Sequence, residues 1–160
     1  MLRLSKKLLF AIEAVVDVAY FASDQPVRSG DISQRQGIPR RYLEQVLQEL
    51  VRHRILSGQR GPRGGYRLAR PATAISVGEI IRIVRKLEGT PDPTADGEGS
   101  EIGLRVVRPI WSEMHKQMMN RLDGMTIDAL CREARRIGIE DQKPEQETSL
   151  PPQSQAVGGR

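Results

Sequence analysis

Arginine side chains are concentrated in a stretch that glycine and proline must fold into a tight turn. Its residues are Arg60-Gly61-Pro62-Arg63-Gly64-Gly65-Tyr66-Arg67-Leu68. Guanidinium groups stay charged and present five N–H donors, so several of them on one turn are suited to lie against phosphate oxygens. Short extended segments flank the turn, Pro62 sets its entry, and Gly64 and Gly65 permit positive φ. This pattern predicts a β-hairpin with a basic tip.

A second basic segment, about twenty residues upstream, has the pattern of a turn that opens into a helix. An apolar stripe at helical spacing runs through it, and Pro39 suits the first helical turn, where its missing N–H costs nothing. The stripe consists of Leu43, Val46, Leu47 and Leu50. The outer side carries Arg41, Glu44, Gln45, Gln48 and Arg52, and the candidate base-reading residues at the N-terminal end of the helix are Arg40, Arg41, Tyr42, Glu44, Gln45 and Gln48. Such side chains pair with base edges of duplex DNA, although an internal salt bridge to Arg40 or Arg41 is the alternative role for Glu44.

The elements that must position these two segments are mainly helical. Residues 5–22 predict an amphipathic first helix, and residues 29–36 predict a short second helix with Ser29 as a candidate N-cap and Gly37 as its end. Two helices joined by a short glycine-containing turn fit a helix-turn-helix, and the basic hairpin that follows would be its wing. Ser76 and Glu79 then predict the capping box of a further helix.

The C-terminal half is predicted to supply an arm rather than a second core. A helix is expected over residues 103–122, with an apolar stripe too long for a small domain to cover. The stripe consists of Val107, Trp111, Met114, Met118 and Leu122. We expect this arm to form a dimer interface, and the alternative is that it folds back on its own domain. A short helix over residues 126–136, stopped at Gly138, completes the predicted elements.

The predicted organisation therefore has four parts. Residues 1–86 form a winged helix-turn-helix DNA-binding domain and residues 87–102 a flexible acidic loop. Residues 103–138 hold the dimerisation helix and a terminal helix, and residues 139–160 form a disordered tail. The fold class is mainly α with a small β-hairpin.

Charge is distributed unevenly along the 160 residues. The formal net charge is +5, but residues 1–86 carry 16 lysines and arginines against 7 aspartates and glutamates, while residues 87–160 carry 9 against 13. A basic N-terminal half suggests a polyanionic partner, either nucleic acid or an anionic membrane surface. The alternative is that the charge only keeps the protein soluble. Only six aromatic residues are present, which argues against the stacking platforms that read single-stranded RNA.

Residue counts also exclude several kinds of site. A lone cysteine, Cys131, excludes an intramolecular disulfide and a cysteine-based zinc site, which favours a cytoplasmic location. Glu13 and Asp17 interrupt the first apolar stretch, so neither a signal peptide nor a transmembrane helix is expected. With two histidines and no phosphate-binding loop motif, no catalytic residues are predicted, and an enzyme or a non-regulatory basic adaptor is the weakest alternative.

The two basic segments and the motif Ile75-Ser76-Val77-Gly78-Glu79-Ile80 together resemble the IscR/NsrR/CymR family of bacterial transcription regulators. The resemblance covers residues 1 to about 130 and implies a winged helix-turn-helix whose long C-terminal helix crosses that of a homodimer partner. It also implies that Glu44 reads bases and that a dimer, expected to be a repressor, binds a pseudo-palindromic operator in double-stranded DNA. Arg60 and Arg63 would enter the minor groove. Candidate phosphate contacts are Lys6, Arg28 and Ser29.

Many members of that family sense a signal through an iron–sulfur cluster held by three cysteines, but the acidic loop here has none. The positions that correspond to a third cysteine and an accessory histidine fall near Arg105 and Arg108, and guanidinium groups cannot ligate iron. No cofactor is therefore predicted, and Cys131 is expected to be a small buried hydrophobic residue. Two alternatives remain. One is a cluster with atypical ligands, such as Cys131, His53, His115 or loop carboxylates. The other is a protein effector, since family members that regulate cysteine metabolism respond to a biosynthetic enzyme.

Overall fold

The computed structural model describes residues 5–22, 24–89 and 99–139, and all structural statements below concern them. Six α-helices, a two-stranded antiparallel sheet, one 3-10 turn and one π-helical segment make up the described fold. Of the predicted loop over residues 87–102, residues 90–98 lie outside the described residues, and so do residues 140–160 of the predicted tail over residues 139–160. Within the described part of the chain, no helix has the length and apolarity needed to cross a membrane.

The first three helices form the core on which the fold is built. Helices α1 (Lys6–Phe21), α2 (Ser29–Gln36) and α3 (Arg40–Arg52) pack against one another, and Ser5 Oγ caps α1 by accepting from Leu8 N–H at 3.2 Å. Gly37 ends α2 in the left-handed conformation, with φ 63°, as predicted. The prediction that Ser29 caps α2 is wrong, because Ser29 is already helical and the N-cap is Arg28.

Helix α3 buries the predicted apolar stripe completely. Leu43, Val46, Leu47 and Leu50 are each at most 1 % exposed, and Pro39 is the N-cap residue just before the first helical turn. Burial of four such side chains holds the helix firmly against α1 and against the later helix α4 (Val77–Glu88). The polar residues between them are consequently turned outward.

The predicted hairpin is present as strands β1 (Leu56–Gln59) and β2 (Gly65–Leu68), paired from Leu56 with Leu68 to Gln59 with Gly65. Its glycines are needed for a reason other than the predicted one. Positive φ occurs at Gly61 (109°), not at Gly64 or Gly65. A Cβ on Gly64 would instead lie 2.4 Å from the Gln59 carbonyl oxygen, so these residues permit close backbone approach.

After a 3-10 turn (Ala72–Ala74), helix α4 (Val77–Glu88) begins at the predicted cap. Ser76 Oγ accepts from Glu79 N–H at 3.1 Å, and the inner face of the helix, formed by Val77, Ile80, Ile81 and Val84, is buried. The carboxylate of Glu79 contacts a different residue from the one that a capping box requires. Its Oε1 accepts a hydrogen bond from Arg70 Nη2 at 2.8 Å. Arg70 thereby ties the wing to α4.

The arm is a continuous helical stretch over residues 101–123. It contains a π-helical segment (Gly103–Val107) and helix α5 (Arg108–Asp123). Its last turn is fastened to α4 through Asp123, which accepts from Arg82 Nη1 at 2.7 Å; this bond lowers the pKa of Asp123. Gly78 permits the approach, because a Cβ there would lie 2.0 Å from Asp123 Oδ1.

Helix α6 (Ile127–Arg136) returns to the N-terminal core. Thr126 Oγ1 caps it by accepting from Ala129 N–H at 3.1 Å, and Gly138 follows its end with φ 74°, as predicted. Ile127 and Cys131 are buried in the same core as α1, and Ile127 N–H donates to Ile75 O at 3.0 Å. The end of the arm and α6 therefore fold back on the N-terminal elements. The division of the chain into domains stays a prediction.

Candidate nucleic-acid interface

An open cleft of about 950 Å³ separates helix α3 from the wing. The cleft is lined by residues of α2, α3 and the hairpin, and four of these residues are arginines. Among its described lining residues, Asp31 is the one that carries a carboxylate. The four arginines are Arg28, Arg40, Arg52 and Arg60. A concave surface with this surplus of guanidinium groups attracts a polyanion. We call this surface the cleft below.

The outer face of α3 presents the predicted polar side chains to solvent. Arg40, Arg41, Glu44, Gln45 and Gln48 are all exposed, and Gln48 and Arg40 face the cleft. Arg40 Nε lies 3.9 Å from Glu44 Oε1, with both side chains more than half exposed. An ion pair this long and this exposed adds little stability, so it leaves the Glu44 carboxylate available to a partner.

Tyr42 differs from the other predicted contacts on α3, because its hydroxyl is buried. The ring packs against Phe10 with centroids 5.9 Å apart, and Lys7 Nζ lies 5.3 Å from the ring centroid. Burial, with a smaller contribution from the Glu88 carboxylate, raises the pKa of Tyr42 to about 12. The hydroxyl has no hydrogen-bond partner among the described residues. Tyr42 therefore packs α3 against α1, and its role as a DNA contact stays a prediction.

The wing places its tip beside the cleft. Arg60 lines the cleft and Arg63 is exposed in the tip, as the sequence pattern predicts. Arg28 Nη2 donates to the carbonyl oxygen of Pro62 at 3.1 Å, a contact that the sequence did not indicate. Ser29 also lines the cleft, whereas Lys6 is exposed on α1 and is not among the lining residues.

Two lining residues, Arg52 and Gln59, are absent from the predicted site. Arg52, one helical turn beyond Gln48, belongs to the predicted outer side of α3 but not to the predicted DNA contacts. Gln59 immediately precedes Arg60 at the end of β1, and the pairing of β1 with β2 places it at the cleft.

The arm exposes an apolar surface that is only partly the predicted one. Val107, Trp111 and Met114 are 58 %, 37 % and 54 % exposed, whereas Met118 and Leu122 pack against the core. The difference arises because the last turns of α5 lie on α4. Three further exposed residues complete what we call the apolar arm surface: Ile102, Val106 and Ile110. Their spacing of four residues is a helical signal that the prediction missed.

The residues at the start of the arm do not fit an iron–sulfur cluster. Arg105 Nη1 donates to Glu101 Oε1 at 2.9 Å, and the Arg108 guanidinium lies against Gly99. Cys131 is in the core on α6, only 3 % exposed, and burial raises the pKa of its thiol, which disfavours the thiolate that iron requires. In the described ranges, no group of three His, Cys, Asp or Glu side chains could hold a metal ion.

Comparison with known proteins gives a consistent assignment. Residues 4 to 133 match the family described as Rrf2, iron-dependent transcriptional regulator. The regulator IscR of Yersinia pseudotuberculosis is 36 % identical over 131 residues, which cover 81 % of this chain and 79 % of that protein. IscR of Klebsiella pneumoniae is 32 % identical over 149 residues, covering 92 % and 90 %.

Two solved structures share the fold and the order of elements. The structure of T. potens IscR superposes with a TM-score of 0.70 at 28 % identity, covering 87 % of this chain and 93 % of that one. CymR, described as the global cysteine regulator of B. subtilis, superposes with a TM-score of 0.68 at 28 % identity, covering 83 % and 98 %. The hairpin beside α3 is therefore the wing of a winged helix-turn-helix.

Proposed function

This chain belongs to the Rrf2 family and is a DNA-binding transcriptional regulator, and from that premise we propose that it acts as a homodimer on a pseudo-palindromic operator. The observation that carries this proposal is the arginine-lined cleft between α3 and the wing. A single such surface reads one half-site, and the twofold symmetry of a dimer repeats it on the same face of the duplex.

In the proposed complex, α3 and the wing have different tasks. The exposed arginines and glutamine of α3, Arg40, Arg41 and Gln45, face the major groove with Glu44 among them. Arg60 and Arg63 extend from a tip too narrow for the major groove, which suits them to the minor groove. Ser29, at the start of α2 in the cleft, is placed for a phosphate contact.

The apolar arm surface supports the dimer part of the proposal. Its six side chains are each between 37 % and 71 % exposed and follow one another over three helical turns. Monomeric proteins seldom leave such a continuous apolar surface in water. A second copy, which presents the same surface, would cover it through a self-complementary contact.

Repression is the outcome that this arrangement produces most simply. A dimer seated on a promoter blocks access to the DNA by occupancy alone and needs no further contact. We propose that the protein acts in the cytoplasm, where the operator is, and that it has no enzymatic role because its family consists of transcriptional regulators.

We further propose that operator binding is independent of an iron–sulfur cluster. The arginines at the start of the arm and the buried thiol of Cys131 support this, because none of them can supply a thiolate ligand. The test is the visible spectrum of protein purified without oxygen, together with operator affinity before and after iron chelation. A colourless protein with unchanged affinity is expected, and would leave a protein effector as the candidate signal. A brown protein whose affinity depends on iron would overturn the proposal.

The operator itself is found by selecting duplexes from a random pool with the purified chain at moderate salt. We expect the selected sequences to contain two inverted half-sites whose centres are about 34 Å apart, or a multiple of that distance. Selected sequences without symmetry, or no enrichment at all, would contradict the proposed mode of binding. Glu44→Ala protein selected in parallel shows which positions α3 reads.

A further inference from the structure

We propose that Arg28 is a positioning residue that holds the wing tip at a fixed distance from α2 and α3, rather than a phosphate contact. This inference rests on the proposed reading of DNA through the cleft. It concerns a side chain that precedes α2 by one residue and reaches the tip of a hairpin more than thirty residues further along the chain.

The base of the wing is fixed by the segment that precedes Arg28. Val27 N–H donates to Tyr66 O at 2.9 Å, and Tyr66 N–H donates to Val27 O at 2.7 Å, so residue 27 forms an isolated antiparallel bridge with β2. Gly65 permits this pairing, because a Cβ there would lie 2.5 Å from Val27 O. Arg67 Nη2 also donates to the carbonyl oxygen of Asp24.

The tip lies beyond these contacts and has a weaker internal framework. Residues 60–64 connect the strands, and the tip is closed by a single turn bond from Gly64 N–H to Gly61 O at 2.9 Å. Arg28 adds a bond from outside the hairpin, with its Nη2 3.1 Å from Pro62 O. The backbone at Arg28 is extended, with φ −78° and ψ 144°, and its side chain makes no capping bond to α2.

The position of this bond decides its consequence for DNA binding. Pro62 lies between Arg60 and Arg63, so a bond to its carbonyl restrains the backbone that carries both proposed minor-groove contacts. A tip held in one conformation before binding loses less conformational entropy when the complex forms. Because one guanidinium has five donors, a bond to Pro62 does not itself exclude a phosphate contact, and the experiment must separate the two roles.

The first measurement uses the protein without DNA. Hydrogen exchange at the backbone amides of Gly61, Arg63 and Gly64 should become severalfold faster in Arg28→Ala, with Gly64 N–H as the main reporter. Arg52→Ala is the matched control, since Arg52 also lines the cleft but pairs with Glu49 on its own helix. Unchanged tip exchange in Arg28→Ala would overturn the proposal, whatever the protein does with DNA.

The second measurement is a double-mutant cycle on a selected operator. Arg28→Ala should reduce affinity by about tenfold in the wild-type background and by less than about twofold in a background that carries both Arg60→Ala and Arg63→Ala, since it acts through the tip. Equal losses in both backgrounds would show an independent phosphate contact and overturn the positioning role. If wild-type protein bound no operator, the proposed function would fail, while the exchange measurement would still decide whether Arg28 orders the tip.

Discussion

Glu44 is the residue whose role depends most on its surroundings. It is a carboxylate on a face of α3 that otherwise carries arginine and glutamine, and its contact with Arg40 Nε is long, at 3.9 Å. Facing phosphate, such a group would be repelled, whereas facing cytosine N4 it accepts a hydrogen bond. We therefore propose that a carboxylate in this position rejects incorrect bases as well as binding the correct one.

We expect Glu44→Ala to change sequence preference more than general DNA affinity. The reason is that an unfavourable carboxylate is removed while the surrounding arginines remain. Affinity for a selected operator and for variants substituted at each half-site position should show relaxed discrimination at one or two positions, by about 1–3 kcal/mol each. A uniform loss at every position, accompanied by a lower melting temperature, would show that Glu44 supports the helix instead.

Arg60 is expected to act mainly through charge. Arg60→Ala should weaken operator binding and reduce the slope of log K against log salt by about one, because one fewer counterion is released. Arg132→Ala is the control, since Arg132 lies on α6, pairs with Asp128 and is not among the cleft-lining residues. A salt slope equal to that of the wild type would show that Arg60 makes no phosphate or minor-groove contact.

Residue types predicted much of the interface, but not the contacts that depend on distant chain segments. Arginine and glutamine at the outer positions of an amphipathic helix must face water, so Arg40 and Gln45 were predicted correctly as exposed, and Arg60 is exposed at the predicted hairpin tip. The burial of Tyr42 depends on Phe10 in α1, and the bond of Arg28 depends on a backbone carbonyl in the wing. Neither partner can be identified from the local sequence.

At the scale of elements, the arm is joined to the DNA-binding core where α4 meets the end of α5. Gly78 and Asp123 lie in contact there, and Arg82 binds the same carboxylate. Spacing predicted both helices and the Ser76 cap, because these depend on neighbouring residues. It did not predict which turns of α5 would be covered, since that is decided by where α4 lies.

Gly78→Ala should therefore destabilise the fold and displace the end of α5. The added methyl group would lie 2.0 Å from Asp123 Oδ1 and 3.0 Å from Asp123 N, so the side chain and the backbone would both have to move. A loss of about 1–3 kcal/mol in the free energy of unfolding is expected from urea denaturation. Gly124→Ala is the control, because its nearest contact would be an ordinary 3.5 Å. Equal stabilities of the two variants would contradict this account of the junction.

At the scale of the whole molecule, the described residues present two surfaces of opposite character. The cleft is lined by arginines, and the apolar arm surface has no charged group among its six members. The uneven charge of the sequence predicted the first surface. The apolar residues of the arm predicted the second surface only in part, because Met118 and Leu122 pack against the core instead.

Ile110→Glu should convert the proposed dimer into a monomer. Ile110 is 60 % exposed in the middle of the apolar arm surface, and an unpaired carboxylate there would be desolvated in a dimer. Sedimentation equilibrium should show the monomer mass, and operator affinity should fall by at least about tenfold because two half-sites are no longer held together. Ser112→Glu, an exposed position two residues further along α5, adds the same charge as a control. A dimeric Ile110→Glu protein would place the interface elsewhere.

The most direct test of symmetric DNA reading is a hydroxyl-radical footprint of the wild-type chain on a selected duplex. We expect two protected minor-groove tracts, one for each wing. They should be related by the symmetry of the DNA sequence and lie on one face of the DNA. Arg60→Ala should reduce protection in both tracts equally. A single protected tract, or protection that Arg60→Ala leaves unchanged, would contradict the central claim that a dimer reads its operator with α3 and the wing together.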